Sequence, residues 1–280
     1  MTHAVSSRPR SRALIVCSLI LIALSVPTAI DEWRNALLGV DASAAWLAVG
    51  ASTLSAIVGL AFLAWAARLT PTVLSWLAAV GWGTGGALIL AGRGNGFIDL
   101  AVESSNLGDD AVDCVTSVVT GPVVEETAKG IGVLALILAA RKVLDRPAQG
   151  GVLGALVGLG FAWGEDIGYY VSALEDGMSG LWESFLARAL LGAYGHAIFT
   201  GVFGYALAWA VLRARNAIVG FLAAAGGFVG ALALHAQANG VGFLAPEDSW
   251  NLTYGAIEIP VLVVSVVLLV WGLRRHRATL

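Results

Sequence analysis

Apolar residues run along this chain in long unbroken blocks, not in the alternation of half-buried strands. Blocks of about 20 such residues have the length an α-helix needs to cross a ~30 Å hydrocarbon layer. They predict eight spans, near residues 13–30, 44–67, 71–91, 115–140, 150–173, 184–211, 216–238 and 254–273. A membrane barrel would show short alternating segments instead. The pattern therefore predicts an all-α, polytopic membrane protein with about eight transmembrane helices. Only Arg68, Leu69 and Thr70 separate the second run from the third, which predicts a tight hairpin. The longest loop is expected at 92–113, where Gly92, Arg93, Gly94, Asn95 and Gly96 form a turn-rich string. Basic residues precede the first run, as in a signal peptide. That run is long for such a segment and lacks an A-x-A site, so it is read as an anchor. No internal repeat is visible. The expected organisation is a cytoplasmic tail at 1–12, one transmembrane domain at 13–273, and a second cytoplasmic tail at 274–280.

Composition agrees. Of 280 residues, 58% are hydrophobic and 12% charged, about half the charged share of a soluble domain. A net charge of −3 excludes a nucleic-acid partner, which would need a basic face. Cys17 and Cys114 form no disulfide framework and no zinc spacing. The loop charges segregate. Arg8, Arg10, Arg12, Arg68, Arg141, Lys142, Arg146, Arg213, Arg215, Arg274, Arg275 and Arg277 fall on one side of an eight-span arrangement, and only Arg34 and Arg93 on the other. Positive residues mark the cytoplasmic side, so both termini are expected there, in a multi-pass protein of the cell membrane.

Once the loops are set aside, few ionisable residues are left inside the spans: Glu125, Glu126, Lys129, Glu165, Asp166, Arg188, His196, His235 and Glu258. Such groups are costly in a bilayer and mark polar, functional interiors. Counted at about 1.5 Å per residue from the cytoplasmic ends, Glu125, Glu165, His196 and His235 all lie roughly 22–29 Å up. Two carboxylates and two imidazoles at one depth, in the extracytoplasmic half, point to one site. Glu125 and Glu126 lie four and three residues before Lys129, within its reach on a helix. Gly121 and Pro122 precede them, where a proline can open the helix to water. Phe161 shares a face with Glu165, His196 with Thr200, and His235 with Asn239. The last two pairs suit a histidine oriented by a second group.

These residues carry a resemblance. Glu125-Glu126-Thr-Ala-Lys129 resembles the E-E-x-x-K motif of the PrsW family of intramembrane proteases, related to the CAAX-protease and Abi group. Phe161-Ala-Trp-Gly-Glu165 is similar to that family's F-x-x-x-E. Arg188, Gly195, His196 and Phe199 follow its R-A-x-x-x-x-x-G-H-A-x-F stretch, and His235 with Asn239 resembles its H-x-x-x-D. The four motifs cover about 115–240, the expected protease core. Asn239 stands where an acidic residue is common, and Asp166 where Asn is frequent. Asn can still orient a histidine by a hydrogen bond, and Glu165 with Asp166 can share a proton or meet a cation.

The resemblance implies peptide hydrolysis on a membrane-protein substrate in the lipid bilayer, such as an anti-sigma factor. Glu125 or Glu126 is then the candidate general base, with Glu165, His196 and His235 as further catalytic groups and Lys129, Asp166, Arg188 and Asn239 in support. Two chemistries remain open. Zinc held by Glu126, Glu165, His196 and His235 is one. A metal-free site with no cofactor is the other, favoured because no H-E-x-x-H occurs and the ligands come from separate helices. Glycines 154, 158, 160, 201 and 204 either pack helices tightly or admit substrate sideways. A proton-coupled transporter and a non-catalytic membrane scaffold are the alternative functions; the missing repeat argues against transport.

Overall fold

The computed structural model describes residues 11–66, 72–105, 107–192 and 194–275, and among these no strand occurs. The expected hairpin turn at Arg68–Thr70, the charges at Arg8, Arg10 and Arg277, and most of the two tails lie outside the described residues. The chain forms α1 (Arg12–Ala36), α2 (Ala42–Ala66), α3 (Val73–Gly81) and α4 (Leu88–Glu103). α5 (Asp109–Cys114) and α6 (Gly121–Ala140) follow, then α7 (Pro147–Ala173), α8 (Gly177–Phe185), α9 (Gly195–Arg213), α10 (Ala217–Leu244) and α11 (Trp250–Arg275). Short side chains start several helices by accepting from orphan backbone N–H groups. Ser11 accepts from Leu14, Thr72 from Ser75, and Asn216 from Val219.

Among the described residues, six stretches are long and apolar enough to cross a membrane. They are Arg12–Ala36, Ala42–Trp65, Val73–Val102, Pro147–Arg213, Ala217–Leu244 and Trp250–Trp271. The expected loop at 92–113 is mostly helix. α3 and α4 are joined by a π-helical turn, Trp82–Ala87, and α4 carries the Gly-Arg-Gly-Asn-Gly string inside it. Glycine's low helix propensity is overridden because, away from water, backbone groups are satisfied within the helix; Gly94 also packs against Val124. The sixth expected span is interrupted. α8 passes through a π-helical turn, Leu186–Leu191, and the backbone breaks before α9 at Tyr194, the one described non-glycine residue with positive φ (64°).

α7 is the centre of the molecule, and every residue from Pro147 to Phe161 is buried. Its neighbour α9 runs antiparallel, in a seam where Gly150 meets Gly204, Gly154 meets Thr200 and Gly158 meets His196. A side chain on Gly154 or Gly158 would collide with the Thr200 or His196 carbonyl. These glycines thus serve close packing, of the kind small residues allow between membrane helices. On the other side of α7, the Thr84 hydroxyl donates to the Gly160 carbonyl at 2.7 Å. Trp82 then ties α6 into place, its indole N–H donating to the Ala128 carbonyl at 3.0 Å while its ring lies on Gly132. α10 and α11 leave residues such as Phe221, Val229, Val264 and Leu268 exposed, the surface expected of helices that face lipid.

Candidate active site

α6 presents its charged residues to the interior. Glu126 and Lys129 are 1% and 0% exposed, and Lys129 Nζ lies 2.7 Å from Glu126 Oε1 and 3.4 Å from Glu125 Oε2. Neighbouring positions on a helix point about 100° apart, so the two glutamates have different surroundings. Glu126 is the more enclosed. It accepts from the Thr200 hydroxyl at 3.0 Å and faces His235 Nδ1 at 3.1 Å. Glu125 instead faces both imidazoles, with Oε2 3.7 Å from His235 Nε2 and 4.0 Å from His196 Nδ1. The π-helical turn Val115–Thr120 leads into this segment, and Pro122 is buried at the start of α6. The backbone is therefore widened there rather than broken.

The break at Tyr194 sets His196 on the first turn of α9. Its Nδ1 lies 2.8 Å from Lys129 Nζ and its Nε2 3.1 Å from Glu165 Oε2. An ammonium can only donate and a carboxylate can only accept. The network therefore assigns His196 the tautomer with hydrogen on Nε2. By the same logic Glu126 puts hydrogen on Nδ1 of His235 and leaves its Nε2 lone pair turned toward Glu125. Glu165 and Asp166 both bind Arg188, through Nη2 and Nε, so the adjacent carboxylates meet one cation.

Aromatic rings complete the site. Phe161 lies 4.0 Å below Lys129 Nζ, Tyr169 lies 3.7 Å from the Arg188 guanidinium carbon, and Phe199 stacks on His235 with centroids 5.0 Å apart. The sequence assigns Tyr169 no role, and gives Phe199 a place in a motif but no partner. Their helical spacing, four after Glu165 and three after His196, was the available signal. Thr200 bonds Glu126 and not its helix neighbour His196, and Asn239 donates to the Ser117 carbonyl at 2.8 Å. A carboxylate, not the residue four positions on, therefore orients His235. A cavity of about 70 Å³ reaches the cluster, lined among others by Arg188, His196, His235, Asn239, Tyr254 and Glu258. That volume is large enough for water.

Among the described residues, Glu125, His196 and His235 offer ligand atoms that all lie within 4.8 Å of one another. One carboxylate and two imidazoles form a donor set that suits zinc and leaves a position for water, with the His196 atom on that side, Nδ1, now accepting from Lys129. Glu126 behind His235 is the carboxylate that such a histidine ligand commonly carries. The charge count agrees: Glu125, Glu126 and Asp166, all buried, and the half-buried Glu165 share two obligate cations, Lys129 and Arg188. A divalent ion or protons would supply the balance. Glu126 and Glu165, expected among the ligands, each face one of these histidines, at 3.1 Å from His235 Nδ1 and from His196 Nε2.

The sequence pattern of PrsW family intramembrane metalloproteases matches residues 71–272. The chain belongs to the PrsW family. No curated protein and no solved structure matches it. As a PrsW protein it is a multi-pass membrane protein and an intramembrane protease, working on membrane-protein substrates in a lipid environment. The matched region begins just before α3 and ends within α11, so it includes every residue of the buried cluster and leaves out α1 and α2.

Proposed function

We propose that this chain hydrolyses a peptide bond of a membrane protein near its extracytoplasmic boundary, with Glu125 and His235 holding the attacking water. The observation that carries the reading is the facing pair of Glu125 Oε2 and His235 Nε2, 3.7 Å apart. That separation is too long for a direct hydrogen bond and invites a shared water. Glu126 keeps the Nε2 lone pair of His235 free for it. Glu125 takes the water proton as general base and returns it to the leaving amine. Lys129 lies beside Glu125 and supplies positive potential where charge develops on the carbonyl oxygen. Arg188 holds Glu165 and Asp166, and Glu165 in turn fixes the His196 ring.

The family description favours a metal, and Glu125, His196 and His235 are the residues that would hold it. When bound, zinc would polarise the scissile carbonyl and the attacking water. Glu126 and Glu165 would keep their places behind the two histidines.

The eight-span topology belongs to the same proposal. α6 carries Glu125, Glu126 and Lys129, and the Pro147–Arg213 stretch holds both α7 and the α8–α9 segment. Counting α6, α7 and α8–α9 as separate crossings gives eight, with both termini cytoplasmic in the cell membrane and the protease core near 115–240. The substrate is a single-span membrane protein such as an anti-sigma factor.

The test co-expresses a tagged single-span substrate with the wild type and with Glu125→Ala, Glu126→Ala, His196→Ala and His235→Ala. Fragment release by the wild type and its loss in the variants is expected. Release that is unchanged in all four would refute the proposal.

A further inference from the structure

One buried carboxylate belongs to no motif and, among the described residues, to no ion pair. Glu258, on α11, is 5% exposed and lines the cavity beside His196 and His235. Its hydrogen-bond partner is the amide of Gln237, two residues after His235, which donates to Oε1 at 2.6 Å. The other carboxylates around the cavity, the buried Glu125, Glu126 and Asp166 and the half-buried Glu165, all meet a cation: Glu125 and Glu126 meet Lys129, and Glu165 and Asp166 meet Arg188. Arg188 lines the same cavity, but its Nε and Nη2 are turned to Asp166 and Glu165. An ionised carboxylate accepts several hydrogen bonds, and a single amide leaves most of that capacity toward the cavity.

The ring of Tyr254 lies one turn earlier on α11 and lines the same cavity. It stacks on Trp250, with centroids 4.6 Å apart, and its hydroxyl rests against Gly192. An aromatic face beside an uncompensated carboxylate is a site for an organic cation, which gains both an ion pair and a cation–π contact. Glu258 lies about 12 Å along α11 from Trp250, in the half of the helix that also holds the tyrosine. It shares its cavity with both imidazoles, within reach of a side chain near the scissile bond.

We propose that Glu258, with Tyr254, is a specificity-determining residue that selects substrates carrying a lysine or arginine close to the cleaved bond. This rests on the proteolytic reading above. A basic side chain supplies the charge that Glu258 lacks. An uncharged side chain leaves the carboxylate buried without a cation, and an acidic one adds repulsion.

The experiment uses the purified full chain in proteoliposomes with a tagged single-span substrate. Lys, Met and Glu are placed in turn at each position of its extracytoplasmic boundary. The wild type is expected to show one or two positions where kcat/KM falls in the order Lys, Met, Glu, with Lys over Met by about tenfold or more. In Glu258→Gln the Lys-to-Met ratio at those positions should fall close to one, and in Glu258→Lys the Glu substrate should overtake the Lys substrate. Cleavage by the wild type with no charge preference at any position overturns the proposal and leaves the protease reading intact. So does a preference that persists in Glu258→Gln. The wild-type series decides on its own if a variant does not fold. Absence of any cleavage by the wild type overturns both readings together.

Discussion

The α-carbon of Gly158 rests against the carbonyl of His196, with no room between them for a side chain. A backbone contact on α7 thus sets the position of an imidazole on α9, and overpacking the contact should move that ring away from Lys129 and Glu165. Gly158→Val is expected to destabilise the protein by about 1–3 kcal/mol. It should also reduce substrate cleavage more than Gly168→Ala, a change at a glycine with open space around it. Thermal unfolding in detergent and fragment release measure the two effects.

The two adjacent glutamates should respond differently to neutralisation. Glu125→Gln leaves Lys129 paired with Glu126 at 2.7 Å, so the protein should fold normally while cleavage falls by about 10²–10⁴-fold. Glu126→Gln removes the closer partner of a fully buried lysine, and breaking such a pair costs about 3–5 kcal/mol. Unfolding midpoints of the two variants, compared at equal lipid or detergent, separate the cases; equal midpoints would count against the assignment.

Lys129 and Glu126 form one unit, and their substitutions should not add. Glu126→Gln combined with Lys129→Met should lose less stability than the sum of the single changes, by about 0.5–3 kcal/mol. A double-mutant cycle measures the coupling. Additive losses would mean that the short contact contributes little.

Metal dependence has a direct readout in elemental analysis of purified protein before and after chelation. With zinc at the site, about one ion per chain should be present in the wild type and lost from Glu125→Ala, His196→Ala and His235→Ala. Glu165→Ala, which removes a group behind His196, should weaken retention by about 10–100-fold rather than abolish it. Fully active enzyme without detectable metal would sink the zinc version and leave the water-holding role of Glu125 and His235.

Arg188 should tolerate no cationic replacement. It binds Glu165 and Asp166 through two nitrogens of one planar fork while lying over Tyr169, and a lysine reproduces neither the fork nor the stacking. Arg188→Lys is expected to lower cleavage, with the loss read as kcat/KM on a fixed substrate. Unchanged activity would show that a point charge is enough.

Local physics made part of this protein readable from its residues. Long apolar blocks define the helices, because only intrahelical bonding satisfies the backbone away from water. Scarcity of charge then exposes Glu125, Glu126, Lys129, Glu165, Asp166, Arg188, His196, His235 and Glu258 as the residues that need an explanation, and the order of their motifs points to the family. The partners of each group were not readable, because they depend on how each helix is rotated and which neighbour it meets. Only packing turned Glu126 toward Thr200 and the Nδ1 of His235 while leaving Glu125, next to it in sequence, beside both imidazoles. Only packing gave Asp166 a share of Arg188, tied Asn239 to the Ser117 carbonyl, and left Glu258 without a cation. The Gly-Arg-Gly-Asn-Gly string shows the same limit, since its local preference for a turn was overridden by the helix that carries it. Composition and periodicity are summed along the chain, whereas a polar site buried in a helical bundle is decided across it.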